Sequence, residues 1–339
     1  MIRSSLRSLD LQEFRGIRKL ENPPMKLAKF NVLIGRNNSG KTSVLEALAL
    51  LPDPNGIVPL TNRRRMEVLK GYHGYRADFF TYGYSGTAMI SYDVGSSTSS
   101  LFIESSGEAS FKTSNRADVP DGSGYRAEGG GFRIGKPPTS LSDVITSYYS
   151  DELHELLQDS MTAESNWKVV EKVRAHNKVL KEVISPSVTE KYTEVLPHFL
   201  DKHWILQARK EFPDGSSSFV RLTELGRGLQ RVIVPLLYFE ATNPNIALWD
   251  DIEAGMHPSL LENVLRWLFR KDWQMVMSTH SIDVLTAIAK IQSNDTQIIM
   301  LSKSSDDLLS YKILNMDSFT DLIDTGQDPR GIVDLLGLR

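Results

Sequence analysis

The chain of 339 residues contains no cysteine. That excludes disulfides and thiolate-held metals, and it fits a reducing compartment. Nor is there an apolar run near the roughly 18 residues that span a bilayer. The opening Met1-Ile2-Arg3-Ser4-Ser5 has no signal-like apolar core. A cytoplasmic protein with no membrane partner is therefore expected. Charge of either sign is not in excess: 39 Lys and Arg face 42 Asp and Glu, for a net charge of −3. A nucleic acid, if bound, would meet a local patch and not the whole surface. The length exceeds one average domain, so one large core with an elaborated lobe, or two domains, is expected.

What is present is a phosphate-loop pattern. Phe30, Val32, Leu33 and Ile34 read as a buried strand. Gly35-Arg36-Asn37-Asn38-Ser39-Gly40-Lys41-Thr42-Ser43 follows, and a helix opens at Thr42. Strand, glycine loop and helix are the context that G-x-x-x-x-G-K-[ST] requires. Glycines let backbone N–H groups turn onto phosphate oxygens, and the helix N-terminus adds partial positive charge. Lys41 would reach the β and γ phosphates, and the Thr42 hydroxyl would ligate Mg²⁺.

Upstream, Leu9, Leu11 and Phe14 before Arg15-Gly16-Ile17 predict a half-buried edge strand. Downstream, breakers at Pro52-Asp53-Pro54-Asn55-Gly56 precede Arg63-Arg64-Arg65, with Lys70 and Arg76 near Tyr72 and Tyr75. Such a mix can contact DNA through phosphates and base stacking, or simply be a solvated helix face. Thr87 to Lys136 reads as an antiparallel flap of short strands, with turns at Ser96 to Ser100 and Gly129-Gly130-Gly131. Residues 139 to 200 read as helical. Trp204 to Arg209 and Phe219 to Leu222 read as a hairpin around Asp214-Gly215.

Leu225-Gly226-Arg227-Gly228 opens a second helix, whose N-terminus can meet an anion and which Pro235 should kink. Ile246 to Trp249 is continuously apolar, as in a central parallel strand, and ends in Asp250-Asp251-Ile252-Glu253. Acids at such a strand end lie where α/β sheets bind ligands. Asp250 is the natural partner of Mg²⁺, and Asp251 or Glu253 could orient or deprotonate water. Met275 to Ser278 reads as another buried strand, and His280 just beyond it could sense a γ-phosphate.

Phosphate loop, Leu225-Gly226-Arg227-Gly228, Asp250-Asp251 and His280 stand in the order of the ABC-type ATPase heads. Asp250 lies 22 residues after Gly228 and His280 a further 30 on. With Phe14-Arg15-Gly16 and Asp250-Asp251-Ile252-Glu253-Ala254-Gly255-Met256-His257-Pro258, the chain resembles the RecF/SMC-related ATPases, most closely the heads of the overcoming-lysogenisation-defect (OLD) family. The resemblance implies an α/β P-loop NTPase fold with a mixed central sheet, an antiparallel β flap and an inserted helical lobe. Residues 1–54 and 201–339 would form the ATPase core and 55–200 the insertion. It implies ATP and Mg²⁺ as cofactors and a head-to-tail homodimer. Each ATP would be held by Lys41 and Thr42 of one copy and covered by Gly226 to Gly228 of the other. Asp251 occupies the usual place of the catalytic glutamate, which implies slow hydrolysis. No glutamine lies between Lys41 and Gln158 to serve a Q-loop. Only 59 residues follow His280, too few for the Toprim nuclease of OLD proteins. Asp306-Asp307 reads as a turn.

Two functions follow as expectations. One is an ATP-hydrolysing head that dimerises on ATP and acts on or beside DNA, possibly with a separate effector protein. The other is a slow nucleotide switch that presents its inserted lobe to a protein partner.

Overall fold

The computed structural model describes residues 6–94, 97–115, 144–253, 255–291 and 295–331. Gly129 to Gly131, Ser96 and Ala254 lie outside them. Its strands are β1 Leu6–Phe14, β2 Ile17–Leu20, β3 Met25–Lys26, β4 Phe30–Ile34, β5 Thr87–Val94, β6 Ser97–Glu104, β7 Ala109–Asn115 and β8 Thr146–Tyr149, then β9 Lys191–Leu200, β10 His203–Glu211, β11 Ser217–Arg221, β12 Ile246–Trp249, β13 Gln274–Ser278, β14 Thr296–Lys303 and β15 Leu308–Asn315. Its α-helices are α1 Lys41–Ala49, α2 Arg65–Tyr72, α3 His154–Thr162, α4 Glu164–Lys172, α5 Ala175–Val179, α6 Arg227–Thr242, α7 Pro258–Phe269, α8 Ile282–Ile291 and α9 Met316–Asp324.

One mixed sheet runs in the order β7-β6-β5-β1-β2-β15-β14-β4-β13-β12-β8, with β3 also paired to β1. Every residue of β4, β8, β12 and β13 is buried, as expected of parallel strands covered on both faces. β8, β12, β13, β4 and β14 are mutually parallel neighbours. The C-terminal ends of all five therefore meet at one edge of the sheet, beside the phosphate loop. β15 returns antiparallel to β14, β2 runs parallel to β15, and β1 runs antiparallel to β2. The β1–β2 turn and the β14–β15 turn thus reach that same edge.

Several expectations are corrected. β1 is not an edge strand: it is flanked by β2 and β5. Its exposed Arg7 and Gln12 mark one solvated face, a pattern that interior antiparallel strands share with edge strands. The flap is antiparallel as expected, but β5, β6 and β7 continue the main sheet from β1. The serines from Ser97 to Ser100 are strand and not turn, and the Ser91 and Ser100 hydroxyls bond across the pair at 2.7 Å. Residues 139–200 are not uniformly helical. β8 joins the core sheet, and β9 pairs with β10 in a small sheet of order β11-β10-β9. Pro197 is tolerated because β9 is the outer strand of that sheet. The β10–β11 hairpin forms as expected, with Gly215 at φ +84. α6 runs as one helix through Pro235. Asp307, at φ +59, lies in the expected turn, paired to Lys303.

The basic triplet divides. Arg63 and Arg64 are exposed, whereas Arg65 is buried and donates to the Ala49 and Thr146 carbonyls at 2.9 and 3.0 Å. It ties the end of α1 to β8 and cannot meet DNA, which corrects the expectation for that residue. Each buried carbonyl stranded without its donor costs about 1–3 kcal/mol. Arg65→Ala should lower the unfolding free energy in urea by about 2–5 kcal/mol, and Arg63→Ala by no more than about 0.5 kcal/mol.

Candidate active site

Gly40, at φ +97, turns the loop into α1, whose first turn has neither a side-chain cap nor an acidic residue. The N–H groups of that turn therefore face the edge of the sheet without a competing acceptor. Gly35 admits no side chain: a Cβ there would stand 2.4 Å from Ser39 Oγ and 2.5 Å from the Leu301 carbonyl oxygen. Asn38, at φ +64, completes the curl. Arg36, Asn37 and Asn38 are exposed, Ser43 is half-buried, and Lys41 is buried with its Nζ donating to the Gly35 and Arg36 carbonyls at 3.0 and 3.2 Å. Ser39 Oγ is buried with no hydrogen-bond partner.

Facing the loop, the apolar β12 ends at Asp250. Its carboxylate accepts from the Thr42 hydroxyl at 2.8 Å and from the buried Ser278 hydroxyl, whose oxygen also accepts the Asp251 N–H at 2.8 Å. Burial raises the Asp250 pKa to about 6. The two hydroxyls pull it down, and the charges of Asp251 and Glu46 push it up. A divalent cation bridging Thr42 and Asp250 would answer both the lost hydration and the like charges. The donors are hard oxygens, which suit Mg²⁺.

Asp251, at φ +48, and His280 are both more than half exposed, and the His280 ring Nδ1 lies 3.5 Å from the Asp251 carboxylate. Glu253 is largely buried. One of its oxygens accepts the His280 backbone N–H at 2.8 Å and lies 2.9 Å from Nδ1, while its other oxygen is buried without a partner. The ligand atoms of Asp251, Glu253 and His280 all lie within 4.8 Å of one another. The expected residues on β4, β12 and β13 are thus brought together. Leu225-Gly226-Arg227-Gly228 lies beside the segment that follows Glu253, with Gly228 against Gly255 and Met256. Gly226 and Arg227 are exposed, Leu225 is buried, and a Cβ on Gly228 would stand 2.4 Å from the Gly255 carbonyl oxygen.

Three contributors were not anticipated. The sequence marks Ser278 only as the end of its strand. Glu46, one turn after Thr42 on α1, is buried against Arg15, and the His73 ring at 3.1 Å. An i,i+4 spacing from Thr42 could have signalled it. Arg330 donates to the His280 carbonyl at 2.8 Å, a contact across 50 residues that leaves no local signal.

An AAA ATPase domain model matches residues 5–111. No curated protein matches the sequence. Among solved structures, the chain resembles an Smc head bound to the C-winged helix domain of ScpA, at 12% identity and TM-score 0.59, covering 91% of this chain and 97% of that one. It also resembles the Smc head with an extended coiled coil from Pyrococcus furiosus bound to the C-terminal domain of ScpA, at 10% identity, TM-score 0.59 and coverage of 95% and 99%. A third is the Smc head with a coiled coil and joint from Pyrococcus yayanosii, at 8% identity and TM-score 0.59, with the same coverage. The protein has the fold of an ABC-type P-loop NTPase head of the SMC kind. Among the described residues no helix is long and apolar enough to cross a membrane.

Because Asp250 has a raised pKa, the folded state holds a proton that the unfolded chain gives up between about pH 4 and pH 6. Its contribution to stability is therefore most favourable below pH 4 and is lost as pH rises through 6. Asp250→Asn should stabilise the cation-free protein by about 1–3 kcal/mol at pH 8 and hardly at all at pH 4. Denaturant titrations at the two pH values check this.

Proposed function

We propose that this protein binds and hydrolyses ATP, dimerises head to tail on ATP, and acts on or beside DNA. The observation that carries the reading is the meeting of Thr42, Asp250, Asp251 and Ser278 at the mouth of the loop that holds Lys41. On binding, Lys41 exchanges two neutral carbonyls for charged phosphate oxygens, which are stronger acceptors. The unpartnered Ser39 hydroxyl and the first N–H groups of α1 supply further donors. Thr42 and Asp250 would hold Mg²⁺, which neutralises charge on the β and γ phosphates.

Asp251 is the carboxylate left to orient or deprotonate water, because Glu253 is clasped to the His280 backbone and ring. Glu253 thereby positions His280 toward the γ-phosphate. Aspartate is one methylene shorter than glutamate, so hydrolysis is slow. Leu225 to Gly228 would cover the ATP of a second copy, with Gly226 and Arg227 exposed for that contact. DNA contact falls to Arg63 and Arg64. Kinship with the OLD-type heads, a cytoplasmic location, the division at 54 and 200 and a separate effector belong to the same proposal.

One observation favours the second reading, a switch that presents its lobe to a protein. Phe199 and Trp204 pack with their rings tilted at 59° and centres 5.5 Å apart at the tip of the β9–β10 hairpin, 59% and 55% exposed. A similar head fold carries a ScpA domain in a solved structure.

Light scattering on Asp251→Asn, with and without ATP and Mg²⁺, should show the mass doubling with nucleotide. A mass that never changes would sink the composite site. Asp251→Glu should raise turnover, because a reach error near 1 Å costs on the order of 100-fold. Lys41→Ala should abolish both turnover and dimerisation. Loss of salt-sensitive DNA retention in Arg63→Ala/Arg64→Ala would support the first reading over the second.

A further inference from the structure

His280 stands in the link Thr279-His280-Ser281 between β13, which ends at Ser278, and α8, which opens at Ile282. Thr279 is buried and its N–H bonds the Leu33 carbonyl at 3.0 Å, so the link is pinned at its root. One residue on, the support changes. The His280 side chain is 60% exposed, and a cavity of about 360 Å³ borders the link, walled by Glu253, Met256, Leu261, Ile282 and Arg330. With open space there, polar contacts rather than close packing must place the ring.

Two such contacts hold the His280 backbone at both of its polar groups. Its N–H donates to Glu253 at 2.8 Å, and its carbonyl accepts from Arg330 Nη1 at 2.8 Å. The Arg330 fork is itself aimed. Its Nε stands 2.9 Å from both Asp328 carboxylate oxygens and its Nη2 donates to one of them at 2.5 Å, which leaves Nη1 for the carbonyl. The Arg330 backbone N–H bonds the same carboxylate at 2.9 Å. A planar guanidinium serves a carboxylate and a carbonyl at once, a geometry that the single nitrogen of a lysine does not reproduce. Asp328 already matches the Arg330 charge, so the side chain is committed to this clamp and not offered to a phosphate.

We propose that Arg330 is a positioning residue for His280. With Asp328 it fixes the His280 carbonyl while Glu253 fixes the N–H, and the two holds together set where the exposed ring meets the γ-phosphate. The inference rests on the ATP reading above. In it Arg330 acts on the backbone of His280 and not on the nucleotide, so its effect runs through that one residue.

The test compares ATP hydrolysis by the parent, Arg330→Ala, His280→Ala and the double variant. Arg330 is 40% exposed, so its removal leaves the fold intact. Arg330→Ala should lower kcat about ten-fold while KM stays within about two-fold, as when an interaction made in the transition state is lost. The double variant should be no slower than His280→Ala, because both changes act through one ring. In the nucleotide-free protein, the His280 ring proton resonance, assigned by its absence from His280→Ala, should shift in Arg330→Ala. It should stay in place in Arg266→Ala, which removes an exposed arginine paired with Glu262 on α7. An unchanged kcat in Arg330→Ala, a loss carried by KM instead, multiplying losses in the double variant, or an unmoved resonance would each overturn the clamp and leave the ATP reading standing. A parent that hydrolyses no ATP would remove the ATP reading and the positioning role together.

Discussion

The site depends on one buried carboxylate. Asp250 ends a strand with no polar residue, so its charge is drawn to the edge of a dry core. There it is held by the Thr42 and Ser278 hydroxyls, with Asp251 and Glu46 close enough to oppose ionisation. Hydroxyls orient a carboxylate but do not cancel it. The neighbouring acids are settled differently: Glu46 by Arg15 and His73, Glu253 by His280. What remains is negative charge on Asp250 and Asp251, facing a loop of inward N–H groups and Lys41. A phosphate and a divalent cation together would satisfy both sides.

Sheet topology makes that arrangement rigid. Parallel pairing of β4, β13 and β12 fixes the relative heights of Gly35, Ser278 and Asp250, because Ser278 is in register with Leu33 and Met277 with Trp249. The antiparallel half of the sheet is continuous with the parallel half, so its turns are carried to the same edge. Arg15 reaches α1 and Tyr82 reaches the β14–β15 turn. Arg65 joins the end of α1 to β8. Arg65 and Tyr82, both downstream of α1, are therefore tied to the elements around the loop by buried or half-buried polar contacts. The small sheet of β9, β10 and β11 stands apart from the main one and carries the exposed aromatic pair.

The local signals were strong where one element carries the chemistry. The glycine loop between strand and helix, and the acids ending an apolar strand, are legible because backbone turn and charge placement there are set by neighbours in the chain. The same holds for the β10–β11 hairpin and the Asp307 turn. Strand β9 was not legible: Val195 and Leu196 beside Pro197 have no period of two that outweighs the helical pattern before them. The serines of β6 read as turn because a contact such as that of the Ser100 hydroxyl with Ser91 forms only across strands.

By itself the sequence determined the phosphate loop and the buried strands β4, β12 and β13, since each is encoded within a dozen consecutive residues. Only the tertiary structure decided which acid is committed and which is left open. It showed Glu253 clasped to His280, Arg65 withdrawn into the core beside the exposed Arg63 and Arg64, and Glu46 gripped by Arg15 and His73. Those outcomes rest on contacts between residues as much as 81 positions apart, and side-chain burial and pairing at such range have no imprint on local composition.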